Sequence, residues 1–162
     1  MKAQNKTISK VYDLNSRRDS ISEEILIVAV DDISVDFSVY HRESSQKSTL
    51  TINIVSLGDS KCTVRATAYI SENAIDCDSE LCIRAIILGT GTVDATPTLE
   101  INHNEVSAKH SFKSTYINNR ALAYLRTRGL SEEEILQLYL KRYFRFDISE
   151  SIQESRVIYA QR

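Results

Sequence analysis

His110 is the side chain in this sequence best suited to reversible chemistry: a neutral imidazole at a strand end ligates metal or carries a proton near physiological pH. It closes the run Val106-Ser107-Ala108-Lys109-His110, just before the pattern changes from strand to helix. The plainer role for the same position is a polar residue that hydrogen-bonds across a strand edge. His41 and His103 have no second ligand two or four residues away on a predicted element, and both are expected on the surface. The three cysteines, Cys62, Cys77 and Cys82, contain no CxxC pair and fit neither a zinc ribbon nor a ferredoxin run. Cys62 lies in an alternating row and is expected as a small buried apolar residue. Cys77 lies between Asp76 and Asp78 and is expected in an exposed turn, its thiol pKa raised by those carboxylates. Asp76, Asp78 and Glu80 read as a solvated turn with, at most, weak affinity for a cation. Gly89-Thr90-Gly91 precedes strand-like sequence instead of a helix, and no G-x-x-x-x-G-K-[ST] occurs, which excludes a phosphate loop. No Ser/His/Asp set can be nominated from order alone. Nothing in these residues specifies an enzyme.

The elements that must position these side chains follow from apolar period. Ile33, Val35, Phe37 and Val39 share one face, with Ser34, Asp36 and Ser38 on the other. Leu50, Ile52 and Ile54 alternate with Thr49, Thr51 and Asn53, and Cys62, Val64, Ala66, Ala68 and Ile70 form a third row. Residues 25–30 and 82–88 are more continuously apolar, as strands covered on both faces require. Short polar links join the rows. Four glycines and one proline in 162 residues are few for a series of tight hairpins, which need φ > 0, and this favours wide arcs between stacked coils. The chain is therefore predicted to be mainly β, with a parallel β-helix-like core and a small C-terminal helical unit. The alternative is an antiparallel β-sandwich plus a helical hairpin. Its expected divisions are a polar lead-in over 1–20, the β core over 21–115 and the helical unit over 116–162.

A net charge of −2 gives no electrostatic reason for nucleic acid or an anionic membrane as partner. There is no run of about 18 apolar residues to span a bilayer, and no apolar leader follows Met1, so a cytoplasmic location is expected. The helical period begins at Asn118, an N-cap flanked by Ile117 and Leu122 as a hydrophobic staple. Gly129 sits where a left-handed residue ends the first helix. Ser131 and Glu134 form a capping box for the second, whose first turn is acidic. That helix carries a wide apolar face from Ile135 to Phe144, which must either cover the core or dock a partner. A further short helix, capped near Ser149 and using Ile152, Val157 and Ile158, is expected in the tail.

The stretch from Pro97-Thr98-Leu99-Glu100-Ile101 through His110 to Tyr124-Leu125-Arg126-Thr127-Arg128-Gly129-Leu130 resembles the C-terminal part of the SufB/SufD family of iron–sulfur cluster assembly scaffolds. The shared pattern is a P-x-L-E-I strand, V-x-x-x-H, a seven-residue step to a helix start, and Y-L-x-[ST]-R-G-[IL]. It aligns over 97–130 without a gap and more diffusely over about 60 residues upstream. The resemblance implies a right-handed parallel β-helix and a non-catalytic scaffold or accessory subunit working with a SufC-like ATPase. It also implies that His110 lies near a transient cluster at a subunit interface. Tyr124, Leu125, Arg126, Arg128, Leu136, Tyr139 and Tyr143 then become the candidates for the ATPase contact; aromatic residues and arginine are the types enriched at binding hot spots. A homodimer, or a heterodimer with a SufB-like subunit, is expected through strands near 81–88 and 99–110. Two departures oppose a complete site: Gly91 stands where SufB-type members carry cysteine, and Ser111 where they carry an acidic residue. The chain is more SufD-like than SufB-like, and the second reading is an interaction module that kept the fold and lost cluster chemistry. Familiar members are longer, so a minimal relative or a fragment is expected.

Overall fold

The computed structural model describes residues 6–146 and 156–159. Eight strands follow one another: β1 (Lys6–Leu14), β2 (Ser20–Ala29), β3 (Ile33–His41), β4 (Lys47–Gly58), β5 (Lys61–Ile70), β6 (Cys77–Gly89), β7 (Thr92–Ile101) and β8 (Val106–Ile117). Helices α1 (Asn119–Thr127) and α2 (Glu132–Tyr143) come next, and β9 (Arg156–Tyr159) closes the described chain. Odd strands form one sheet in the order β1-β3-β5-β7, and even strands the other in the order β8-β6-β4-β2-β9. Every pairing among β1 to β8 is parallel and joins a strand to the next but one. The result is a parallel β-solenoid of four coils, each giving one strand to each sheet, which rejects the antiparallel sandwich.

Stacking in register turns the period-two rows into columns. Ile33, Val35, Phe37 and Val39 lie over Cys62, Val64, Ala66 and Ala68, all in the interior. The continuous apolar runs behave as two-faced strands: Ile25 and Ile27 point inside, while Leu26 and Val28 point to the helices. Ile86, Leu88 and Val55 join that second layer with Leu122, Ile135, Leu136 and Leu140. Partners along a column lie 27 to 31 residues apart, as in Lys6 with Ile33, Ile33 with Cys62 and Cys62 with Val93.

The corners carry the polar work. Gln46 is fully buried, yet its amide donates to the carbonyls of Leu14 and Ser16 and accepts from the Arg42 and Glu43 N–H groups. All its polar atoms are therefore matched, as a buried amide requires. Ser60 donates to the Ala29 carbonyl one coil back. Gly89 has φ +130, and a Cβ there would overlap the Gly58 carbonyl oxygen, so this corner needs glycine twice over.

Several sequence expectations change. Residues 6–14 belong to β1, not to a polar lead-in; the strand looks polar because only one neighbour covers it. β8 runs two residues past the expected core boundary to Ile117. Ser149 and Ile152 lie outside the described residues, while Val157 and Ile158 lie in β9, a strand and not a helix. Cys77 is buried with Ile70 and Ala74, and burial, more than Asp76, raises its pKa. Cys62 is buried as expected, and burial pushes its pKa up to about 12.

His41 is also buried, not surface-exposed. Its Nε2 lies 2.8 Å from Ser48 Oγ, which lies 2.9 Å from Ser79 Oγ in the next coil. Its Nδ1 has no hydrogen-bond partner among the described residues. A bare lone pair is the cheaper orphan, so Nε2–H donates to Ser48 and the ring is neutral. Burial lowers its pKa below 6.5 against an opposing pull from Asp78. An unfolded chain takes up a proton near pH 6.5 that the folded chain resists, so this contribution is intact above that pH and lost as pH falls below it. Urea midpoints taken at about pH 7.5 and about pH 5.5 should therefore fall more in the parent protein than in His41→Gln. Equal falls would remove His41 as the cause.

The two glycine corners give a second test. Gly89→Ala meets both strain and backbone overlap and should cost about 1–3 kcal/mol in equilibrium unfolding. Gly129, with φ +87 and nothing near its would-be Cβ, should lose only about 1 kcal/mol as alanine.

Candidate functional site

Two regions offer chemistry or contact: the last coil of the solenoid and the helical layer. In the last coil, β7 and β8 are both edge strands. Residues that would be interior in an earlier coil are uncovered here. Phe112 continues the column of Ile25, Ile52 and Ile83, yet it is 41 % exposed where Ile83 is fully buried. Ile101 and Tyr116 are exposed on the same end. These apolar side chains stand exposed where no further coil covers them.

His110 lies at this end, stacked on Leu81. It is the fifth of twelve residues of β8, well inside the strand and not at its end. Its Nδ1 lies 2.9 Å from the Pro97 carbonyl oxygen of β7. A carbonyl only accepts, so Nδ1 carries the hydrogen, and in that tautomer the lone pair is on Nε2. A ring oriented by an N–H to a backbone carbonyl is the arrangement that metal-ligating histidines use. The same geometry serves the plainer role as a bond between edge strands.

The residues for a complete metal site are not brought together among the described residues. Among the described residues no group of three His, Cys, Asp or Glu side chains is placed to hold a metal ion. Cys82 is paired with Ser111 and so faces away from His110, while Cys62 and Cys77 are buried. At Gly91 a Cβ would overlap Ser56 Oγ and the Ser60 backbone, so this corner has no room for a thiol. Ser111 supplies no carboxylate. Of the candidate histidines, His110 lies on β8 of the last coil and His103 in the link that joins β7 to β8. His103 is half-buried, its Nδ1 accepting from the Glu105 N–H at 3.0 Å.

The helical layer is built as its sequence predicts. Asn118 caps α1 through a bond from Ala121 N–H, Ser131 and Glu134 form the capping box of α2, and Gly129 is left-handed. The seven candidate contact residues separate. Leu136 is buried against the even-strand sheet. Arg126 pairs with Glu132, whose carboxyl this bond lowers in pKa, and with Leu136 it lines a cavity of about 280 Å³. Tyr124, Leu125, Tyr139 and Tyr143 come together around an outward groove of about 390 Å³ between the helices. Arg128 lies over the Tyr124 ring at 5.1 Å. The Tyr139 and Tyr143 rings are 6.1 Å apart, and burial raises the Tyr139 phenol pKa. Leu138 and Arg142 complete the groove and were not among the candidates; their four-residue spacing was the available signal. At the open end, Phe112 and Tyr116 were missed likewise, although both share the parity of His110.

A four-coil parallel β-solenoid with a helical layer on one sheet is the class of protein that this fold defines. A family model described as the SufBD core domain of SUF system FeS cluster assembly matches residues 13–141, and the chain belongs to that family. An iron–sulfur cluster assembly SufBD family protein of Staphylococcus aureus (strain USA300) is 26 % identical over 99 residues, which cover 60 % of this chain and 21 % of the relative. The iron–sulfur cluster assembly protein SufB of Bacillus subtilis (strain 168) is 28 % identical over 99 residues, with the same two coverages. The chain thus matches about a fifth of the length of these relatives. No helix among the described residues is long and apolar enough to cross a membrane.

The split within α2 and α1 can be measured. Leu136→Ala opens a cavity against the sheet and should cost about 2–5 kcal/mol. Tyr124→Ala removes a ring that is 56 % exposed and should shift stability by no more than about 0.5 kcal/mol. Urea unfolding of both variants checks the assignment; similar losses would mean that the groove, too, is structural.

Proposed function

We propose that this chain is a non-catalytic scaffold or accessory subunit of iron–sulfur cluster assembly in the cytoplasm, acting with a SufC-like ATPase. The observation that carries the reading is His110 at the uncovered last coil, its Nδ1–H held by Pro97 and its Nε2 left open. The cluster is cargo, not a resident group. Because no group of three donors is brought together among the described residues, the remaining ligands come from a second subunit, either another copy or a SufB-like partner. Such a dimer joins through β7 and β8. Segment 81–88 is not part of that contact surface, since β6 lies between β4 and β8. The groove lined by Tyr124, Leu125, Tyr139 and Tyr143 is the proposed seat of the ATPase. A second reading, an interaction module without cluster chemistry, is favoured by Gly91 and Ser111.

Anaerobic reconstitution with iron and sulfide separates the two readings. In the presence of a SufB-like subunit and a SufC-like ATPase, visible absorption and Mössbauer spectra should report a stoichiometric cluster, and His110→Ala should lose it. No cluster with either protein leaves only the module. For the ATPase seat, the Leu125→Asp and Tyr139→Asp pair should keep a cooperative circular-dichroism melt with modest destabilisation and should fail to pull down the ATPase. Normal capture by that folded variant would move the contact elsewhere.

A further inference from the structure

We propose that β9 is an edge cap that confines self-association to the β7/β8 end, and that without it a second copy of this chain stacks its last coil on β2. β9 is the one antiparallel strand among the described residues. It pairs along Ile25 to Val28 of β2, on the side where a further parallel coil would otherwise lie. Val157 and Ile158 face opposite sides, as neighbours on an inner strand do. Val157 packs on the solenoid interior with Ile25 and Ile27, and Ile158 on the helix-side cluster with Leu26 and Val28. These four β2 residues are fully buried. Without β9 they would present an apolar strand with unpaired backbone groups, a template for another chain.

The opposite end of the molecule matches that template. β8 runs parallel to β2 through the ladder of β4 and β6, so β8 of one copy continues the same parallel pairing on β2 of another. The column that begins at Ile25 ends at Phe112, and a head-to-tail stack brings Phe112 of one copy onto Ile25 of the next. Such a contact is heterologous and need not close, so it grows into a filament. β9 covers one of the two complementary surfaces. What stays open is the β7/β8 end, where two copies meet face to face and stop at two. Beside β9, β1 remains an edge of the other sheet and carries Lys6 and Lys10, a charge pattern that discourages pairing. This inference rests on the proposed β7/β8 dimer, while no cluster, His110 chemistry or groove contact enters it.

Sedimentation velocity over a concentration series, with far-UV circular dichroism, tests it on the full chain. The parent protein should show a discrete mass that reaches a plateau. Val157→Pro removes a strand donor from β9; it should keep the β signal while its mass climbs with concentration without a plateau. Adding Phe112→Lys to that variant should restore a discrete mass. A folded Val157→Pro with the parent's mass overturns the cap. A climb that Phe112→Lys does not stop, or a fixed dimer made by exchanging β9 between copies, overturns the head-to-tail stack. Should Val157→Pro lose its β signal, Val157→Ala takes its place. The climb must then appear at higher concentration and again vanish with Phe112→Lys, and its absence overturns the proposal.

Discussion

Parallel stacking of one coil on the next, in register, is the constraint from which the rest of this molecule follows. A parallel strand has no hairpin partner and meets its hydrogen-bonding neighbours only after a full turn of chain. Once one coil is laid on another, like positions face like: Ile25 over Ile52 over Ile83, Ser48 over Ser79, Tyr40 over Tyr69 with rings 4.5 Å apart. Polar residues survive in such a stack when they pair with their own column. Ser48, buried with its neighbours, bonds both Ser79 and His41, and Asn53 donates to Glu24 across the ladder. The same constraint makes the ends expensive, because the last strand of each sheet carries a full row of polar backbone and a column of uncovered side chains.

The two sheets answer this differently, and the sequence says which is which. β3 and β5 alternate strictly, so their outer face is polar and needs no cover. β2 and β6 carry Leu26, Val28, Ile86 and Leu88 on the outside, and α1 and α2 lie there for that reason. Most of the helices' stability comes from this burial, since isolated helices of nine and twelve residues are marginal in water.

Rows, helix caps and the two-faced strands were legible because each rests on contacts within a few residues. The coil period was not. It varies between 27 and 31 residues, and the stacked positions share size and polarity more than identity, so no repeat stands out. β1 resembles a polar lead-in because a one-sided edge strand has the polarity of a loop. His41 and Cys77 were read as exposed because their cover, Ser48 in one case and Ile70 with Ala74 in the other, comes from turns and neighbouring strands. The short β9 is held by β2, more than 120 residues earlier, a contact that local pattern cannot contain.

The site shows the same limit from another side. Residue type marked His110, but its meaning depends on Pro97 orienting the ring and on Phe112 and Tyr116 standing uncovered beside it. Helix period grouped Tyr124, Leu125, Tyr139 and Tyr143, which line one groove, with Leu136, which turns inward. The two surfaces are built from different parts: one from the edge strands of the last coil, the other from side chains between α1 and α2. Apolar contacts couple sites chiefly through shared partners. His110 pairs in register with Leu81 of the interior cluster, whereas Leu125 and Tyr139 of the groove pack on the helix-side cluster. The two surfaces thus rest on different clusters of the core.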